Sequence, residues 1–197
     1  MNWIEEIKKQ ILDSARMKQQ MADTMPAGIQ AVSEAVTGAL RRGNKILLCG
    51  NGGSAADSQH IAAEFVGRFK RERPGLAAVA LTTDTSILTS VSNDYGFENI
   101  FARQVEALGR EGDVLIGFST SGKSKNIIRA FESAKKRDMV IIAFAGSQPC
   151  AMTEMADLSI LIPADETARI QEGHILVGHI LCDMVEYSFS QSAGRVT

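Results

Sequence analysis

The chain has 197 residues, 45% of them apolar, and a formal net charge of −2, so it can bury a core of its own and any bound metal would serve chemistry rather than folding. The charge excludes the basic surface of a nucleic-acid-binding protein, and the charged run at 68–74 is typical of a solvated helix end. Three cysteines without CxxC spacing and no apolar run of about 18 residues predict a protein of the reducing cytoplasm, with no disulfide framework, export signal or membrane span.

Two amphipathic helices are predicted at the N-terminus, because apolar residues recur at helical spacing between Trp3 and Ile11 and between Ile29 and Leu40. Strand-length apolar runs and helix-compatible segments alternate after them, which is typical of a parallel sheet covered on both faces. The strands are expected at 45–49, 77–81, 114–118, 140–144 and 158–162, and helices at 54–69, 124–136, 149–155 and 167–189. The pattern predicts one α/β domain over 1–197, in which a doubly wound five-stranded parallel sheet with α-β-α layers (44–190) follows an N-terminal helical arm (1–43).

Gly-rich and hydroxyl-rich segments follow the predicted strands. They read GNGGS at 50–54, TTDTS at 82–86 and STSGKS at 119–124. Ligands of parallel sheets bind beyond the carboxyl ends of the strands, where glycines admit a ligand to the backbone and helix N-termini attract anions. The same residue types also cap helices and form turns. Two such loops at one sheet edge favour a site for a polar or phosphorylated small molecule.

Reactive side chains are predicted on the helix after the first strand. His60 and Glu64 are four residues apart and project from one helix face. Three interpretations are open: a pair of metal ligands, an acid/base pair, or an ordinary surface pair. Zinc accepts imidazole and carboxylate ligands and could polarise a substrate carbonyl.

The last helix carries further polar residues among apolar ones. Its candidates are Gln171, Glu172, His174 and His179. On an ideal helix, Gln171 and His179 are about 80° apart, Glu172 and His179 about 20°, and His174 and His179 about 140°. Both histidines therefore cannot readily serve one site, and a histidine among apolar neighbours is usually a core residue. These angles leave open which residue works with His179.

Four motifs in order resemble the phosphoheptose isomerases of the sugar isomerase (SIS) superfamily. They are CGNGGSAADSQHIAAE at 49–64, SNDYGF at 92–97, REGDVLIGFSTSGKS at 110–124 and ARIQEGHILVGH at 168–179. The resemblance covers nearly the whole chain. It implies an aldose-ketose isomerase that converts sedoheptulose 7-phosphate to D-glycero-D-manno-heptose 7-phosphate through an enediol, for heptose nucleotide biosynthesis. It also implies a homotetramer with its sites between subunits.

The resemblance also assigns roles by position. One zinc ion per subunit would be bound by His60, Glu64, Gln171 and His179, with Glu64 and His179 as the catalytic acid/base pair and His174 left structural. The substrate contacts would be Asn51, Gly52, Gly53, Ser54, Glu64, Asn93, Asp94, Ser119, Thr120, Ser121, Ser124 and Gln171. The phosphate would then lie at 119–124 and the sugar at 50–54.

Two rival functions share some of these features. A non-catalytic SIS-domain protein that associates with the bacterial replication initiator would have similar loops, but it has no chemical reason to hold His60, Glu64 and His179 together. A dinucleotide enzyme would use Gly50-x-Gly52-x-x-Ala55, which matches a GxGxxA fingerprint. The expected acidic residue about 20 positions later at the end of the second strand is missing, which disfavours this interpretation.

Overall fold

The computed structural model describes residues 1–193, which form an α/β fold around five parallel strands in the order β2-β1-β3-β4-β5. The helices are α1 (Trp3–Thr24), α2 (Pro26–Arg41), α3 (Gly53–Val66), α4 (Thr85–Tyr95), α5 (Ala102–Leu108), α6 (Lys125–Lys135), α7 (Ala151–Met155) and α8 (Thr167–Ala193). The strands are β1 (Ile46–Gly50), β2 (Ala78–Ala80), β3 (Val114–Phe118), β4 (Val140–Ala145) and β5 (Leu158–Leu161). Strand order reverses between β1 and β3, the place where ligands bind in such sheets.

The predicted fold class is confirmed, and each strand begins and ends within one residue of its expected position. The break between the two N-terminal helices lies at Met25, with Pro26 in the first turn of α2. Two features differ from the expectation. Helix α3 ends at Val66 rather than near residue 69, and α4, α5 and a short 3₁₀ turn at Phe97–Asn99 fill the segment between β2 and β3.

The two sheet faces bury two separate apolar cores, because side chains alternate along each strand. On one face, residues such as Leu48, Ile116 and Phe144 pack against α1, α2, α3 and α8. On the other face, residues such as Leu47 and Leu115 pack against α5, α6 and α7. Within residues 1–193, no helix combines the length and apolar character needed to cross a bilayer.

His174 belongs to the first of these cores. Its side chain is fully buried, with the rings of Phe118 and Phe144 edge-on at centroid distances of 5.9 and 5.8 Å. Its Nε2 lies 3.2 Å from the carbonyl oxygen of Ala145, at the end of β4. Burial lowers the pKa of His174 to about 4, because the charged ring would lose its hydration.

This buried imidazole should make the fold sensitive to acid. In the unfolded chain a histidine titrates near 6.5, so its stabilising effect is present above that pH and is lost as pH falls from about 6.5 to 4. The loss is about 3 kcal/mol of unfolding free energy. In the His174→Leu variant, the unfolding free energy should depend less on pH between 6.5 and 4. Urea unfolding at a series of pH values measures this dependence. An equal pH dependence of the unfolding free energy in the wild type and the variant would contradict the lowered pKa of His174.

Candidate active site

The loop at 50–54 leaves the carboxyl end of β1 and begins α3. Gly52 precedes the helix with a φ of 56°, a conformation that favours glycine. A Cβ atom at Gly53 would lie 2.5 Å from the Gln171 side-chain nitrogen, so the missing side chain lets the amide of α8 reach the loop. The N–H groups of Ser54, Ala55 and Ala56 donate to the carbonyl oxygens of Asn51 and Gly52, which orders this turn. The loop lies at the carboxyl end of β1, the edge of the sheet where a ligand is expected.

A pair of amides joins this loop to the neighbouring one. Asn51 donates to the Asn126 side-chain oxygen at 3.0 Å, and Asn126 donates back to that of Asn51 at 2.8 Å. Asn126 is buried in the first turn of α6, directly after the 119–124 loop. The bridge therefore fixes the two predicted substrate loops relative to each other. Asn126 was not predicted from the sequence, where its only signal is its position in the turn after the STSGKS motif.

The 119–124 loop presents converging hydroxyl groups at the start of α6. The Ser119 Oγ lies 2.9 Å from the Ser124 Oγ and 3.4 Å from the Ser121 Oγ. The backbone turns through Gly122 with a φ of 62°. Thr120 and Ser121 also line a cleft of about 270 Å³. Hydroxyl donors beside a helix N-terminus suit a phosphate group.

Two imidazoles and one carboxylate converge between α3 and α8. The His60 Nε2 lies 3.2 Å from the Glu64 Oε1 and 3.3 Å from the His179 Nε2. All three ligand atoms lie within 4.8 Å of one another. Nitrogen and carboxylate donors grouped in this way are the ligand set of a catalytic zinc site that keeps a position open for substrate. The three residues fit the metal that the resemblance implies.

Electrostatics favour a neutral His179 at this cluster. Partial burial lowers the pKa of His179, the neighbouring His60 and Lys70 lower it further, and Glu64 acts in the opposite direction. A neutral imidazole can accept a proton or bind a metal.

Asp57 lies one helical turn before His60 and was not identified from the sequence. Its Oδ2 is buried and has no hydrogen-bond partner within the described part of the chain. Burial raises the pKa of Asp57 to about 6, although His60 partly offsets this effect. It is a second carboxyl group on the helix that carries His60 and Glu64.

Gln171 lies apart from this cluster within one chain. Helices α3 and α8 run side by side in the same direction, with Gln171 against Gly53, Gly178 against Ile61 and His179 against His60. Eight residues separate Gln171 from His179, which is about 12 Å along the helix axis. The amide is therefore placed at the 50–54 loop, and its role as a fourth metal ligand stays a prediction.

Asn93 and Asp94 lie in the last turn of α4. Both side chains are exposed, and the Asn93 amide donates to the Asp94 Oδ1 at 2.8 Å. This internal hydrogen bond leaves other polar atoms of the pair accessible to a ligand. Their role in binding the sugar stays a prediction.

Comparison with known proteins places this site in a family. The SIS domain family matches residues 11–146. The phosphoheptose isomerase of Burkholderia pseudomallei strain K96243 is 57% identical over 162 residues, 82% of each chain. That of Roseiflexus sp. strain RS-1 is 55% identical over 88% of each chain. The chain belongs to the phosphoheptose isomerase family.

Solved phosphoheptose isomerases have the same fold. The structure from Neisseria gonorrhoeae superposes with a TM-score of 0.90 at 45% identity and covers 94% of this chain and 100% of its own. The structure from Francisella tularensis gives a TM-score of 0.92 at 39% identity and covers 95% and 100%. The resemblance seen in the four motifs is confirmed, and the chain is an isomerase. Membership in this family disfavours both the dinucleotide enzyme and the non-catalytic binding protein.

Proposed function

We propose that this phosphoheptose isomerase family member converts sedoheptulose 7-phosphate to D-glycero-D-manno-heptose 7-phosphate, for heptose nucleotide biosynthesis in the cytoplasm. The observation that carries the proposal is the convergence of His60, Glu64 and His179 beside the loops at the sheet edge. The three cysteines are all free, in keeping with a reducing compartment.

The two bridged loops would orient the substrate. The hydroxyls of Ser119, Ser121 and Ser124 and the N-terminus of α6 would bind the phosphate. The 50–54 loop and Gln171 would bind the sugar end. Since the Asn51–Asn126 bridge fixes the distance between the loops, it would hold the reacting carbons at a defined position relative to the phosphate.

Glu64 and His179 would carry the protons of the reaction. Glu64 takes a proton from C1 of the open-chain ketose, and His179, in its imidazolium form, gives a proton to the C2 oxygen, which forms a cis-enediol. The lowered pKa of His179 makes that imidazolium a better proton donor. Glu64 then returns its proton to C2, and His179 removes the proton of the C1 hydroxyl, which leaves an aldehyde at C1. General acid-base catalysis of this kind contributes about 10² to 10⁴ in rate.

His60, Glu64 and His179 would hold one zinc ion per subunit. When bound, the metal would supply Lewis acidity that polarises the carbonyl and stabilises the negative charge that develops on oxygen. Glu64 would then have two tasks. Because metal binding weakens a carboxylate as a base, the carboxylate oxygen of Glu64 that does not hold the metal would take the proton.

A homotetramer is the proposed assembly, and two observations support it. Helix α1 exposes an apolar stripe in which Trp3, Ile4, Ile7 and Ile11 are 57–74% exposed, and patches of this kind mark interaction surfaces. Gln171 lies about 12 Å from His179 along α8, so it would reach a metal cluster only in a neighbouring subunit.

Light scattering on a size-exclusion column should give the mass of four chains of 21.2 kDa. Ile7→Glu with Ile11→Glu should yield smaller species, because these changes place charges in the apolar stripe of α1. Lys8→Glu with Lys9→Glu, also on α1, is the control for added acidic charge. A wild-type monomer would refute the tetramer, and an unchanged mass for the Ile7/Ile11 variant would exclude the stripe from the interface.

Product identification after incubation with sedoheptulose 7-phosphate tests the proposed reaction. The isomerase should yield the aldose phosphate, which NMR distinguishes from the ketose. A non-catalytic SIS-domain binding protein would return the sugar unchanged.

A further inference from the structure

A buried arginine ties the loop at 67–75 to the end of α3. The Arg73 side chain is 1% exposed. Its guanidinium donates to the carbonyl oxygens of Glu64 and Phe65, both at 2.7 Å, and of Gly67 at 2.9 Å. The last carbonyls of a helix have no partner within the helix, and a positive charge there is favourable. Arg73 thus caps the end of α3 at the turn that carries Glu64.

A buried carboxylate ties the same loop to α8. Glu186 is fully buried and accepts hydrogen bonds from the backbone N–H groups of Phe69, Lys70 and Arg71 at 2.9, 2.7 and 2.8 Å. Its Oε1 lies 3.6 Å from the Arg73 Nε. Burial acts to raise the pKa of Glu186, but these donors and Arg73 outweigh it and hold the pKa below its ordinary value. The loop is therefore held by an ionised carboxylate that has several partners.

The loop at 67–75 stacks the ring of Phe69 on His179, one of the three residues of the proposed zinc site. The rings of Phe69 and His179 are 5.4 Å apart between centroids, with 15° between their planes. Glu186 follows His179 by seven residues, two helical turns, so it lies on the same side of α8. The helix that carries His179 thus also anchors the loop whose ring covers the imidazole.

Building on the proposed function, we infer that Phe69 is a positioning residue that holds the His179 imidazole toward His60 and Glu64, with Arg73 and Glu186 fixing the loop that carries it. A partly exposed histidine such as His179 would otherwise populate several rotamers, and the entropy lost on ordering it would weaken metal binding. The stacked ring removes these alternatives before the metal arrives. Residues that orient a metal ligand typically change metal affinity by about 10- to 100-fold when mutated.

The inference is tested by zinc affinity, which does not depend on turnover. Metal-free full-length protein is titrated with zinc in competition with a chromophoric chelator. Phe69→Leu and Phe69→Met, which lack the ring, should bind zinc about 10- to 100-fold more weakly, whereas Phe69→Tyr should bind as the wild type does. In the isomerase assay, kcat should fall and KM should stay constant, because Phe69 lies outside the substrate loops.

Tyr187→Leu is the matched control. Its ring is exposed on α8 and lies 5.3 Å from the Arg71 guanidinium of the same loop. This variant should keep wild-type zinc affinity.

Three results would overturn the inference: wild-type affinity in a folded Phe69→Leu or Phe69→Met protein, an equal loss in Tyr187→Leu, or no zinc binding by the wild type. If the wild type does not convert sedoheptulose 7-phosphate, the proposed function is refuted instead. The two failures are therefore distinguishable.

Discussion

Replacing Glu64 with glutamine should lower kcat for sedoheptulose 7-phosphate by about 10² to 10⁴. Glutamine keeps the size of the side chain and can still face His60, but its amide cannot take a proton from C1. KM should change little, because the phosphate loop is intact. The measurement is a coupled assay at saturating zinc, with circular dichroism to show that the variant is folded.

Glu72→Gln is the matched control for this variant. The Glu72 side chain is 90% exposed in the loop that follows α3, so its loss of charge should leave kcat unchanged. His179→Gln should be as inactive as Glu64→Gln, since it removes the partner in proton transfer. Near-wild-type turnover by either active-site variant would remove that residue from the mechanism.

Removal of metal should abolish turnover, and zinc should restore it. Without metal, the site lacks the Lewis acid that would stabilise the negative charge on oxygen in the enediol step. The measurement compares activity and metal content after dialysis against a chelator, with and without added zinc. Magnesium is the control, because it prefers oxygen ligands to imidazole and should not restore activity.

Full activity in protein whose metal content has fallen below detection would contradict the metal assignment. In that case the polar groups of the two loops would have to stabilise the oxyanion alone. Restoration by magnesium as well as zinc would indicate a general requirement for a divalent cation rather than the proposed ligand set.

The fold could be predicted because its signals are local. Five short apolar runs alternate with helical patterns, and their positions gave the strands to within one residue. The end of α3 could not be predicted in this way. The apolar residues Val66 and Phe69 continue a helical pattern, but Arg73 and Glu186 hold the following backbone as a loop through contacts from distant parts of the chain.

The site could be predicted in part for the same reason. The spacing of His60 and Glu64 is local, and it placed both on one face of α3. The partner of His179 depends on how α3 and α8 are aligned. Close packing of Gly178 against Ile61 determines this alignment, and it cannot be calculated from the angles within one helix. Asn126 and Asp57 were missed because their importance comes from a bridge and from burial, and both are tertiary effects.

The most direct test of the account is the reaction of sedoheptulose 7-phosphate with the zinc-loaded protein in D₂O, followed by NMR. Proton transfer through an enediol predicts D-glycero-D-manno-heptose 7-phosphate with deuterium at C2, wherever the proton held by the base exchanges with solvent. Absence of the aldose phosphate under every metal condition would contradict the proposed function. An aldose formed entirely by transfer of hydrogen from C1 to C2 without any deuterium would contradict the proton-transfer mechanism.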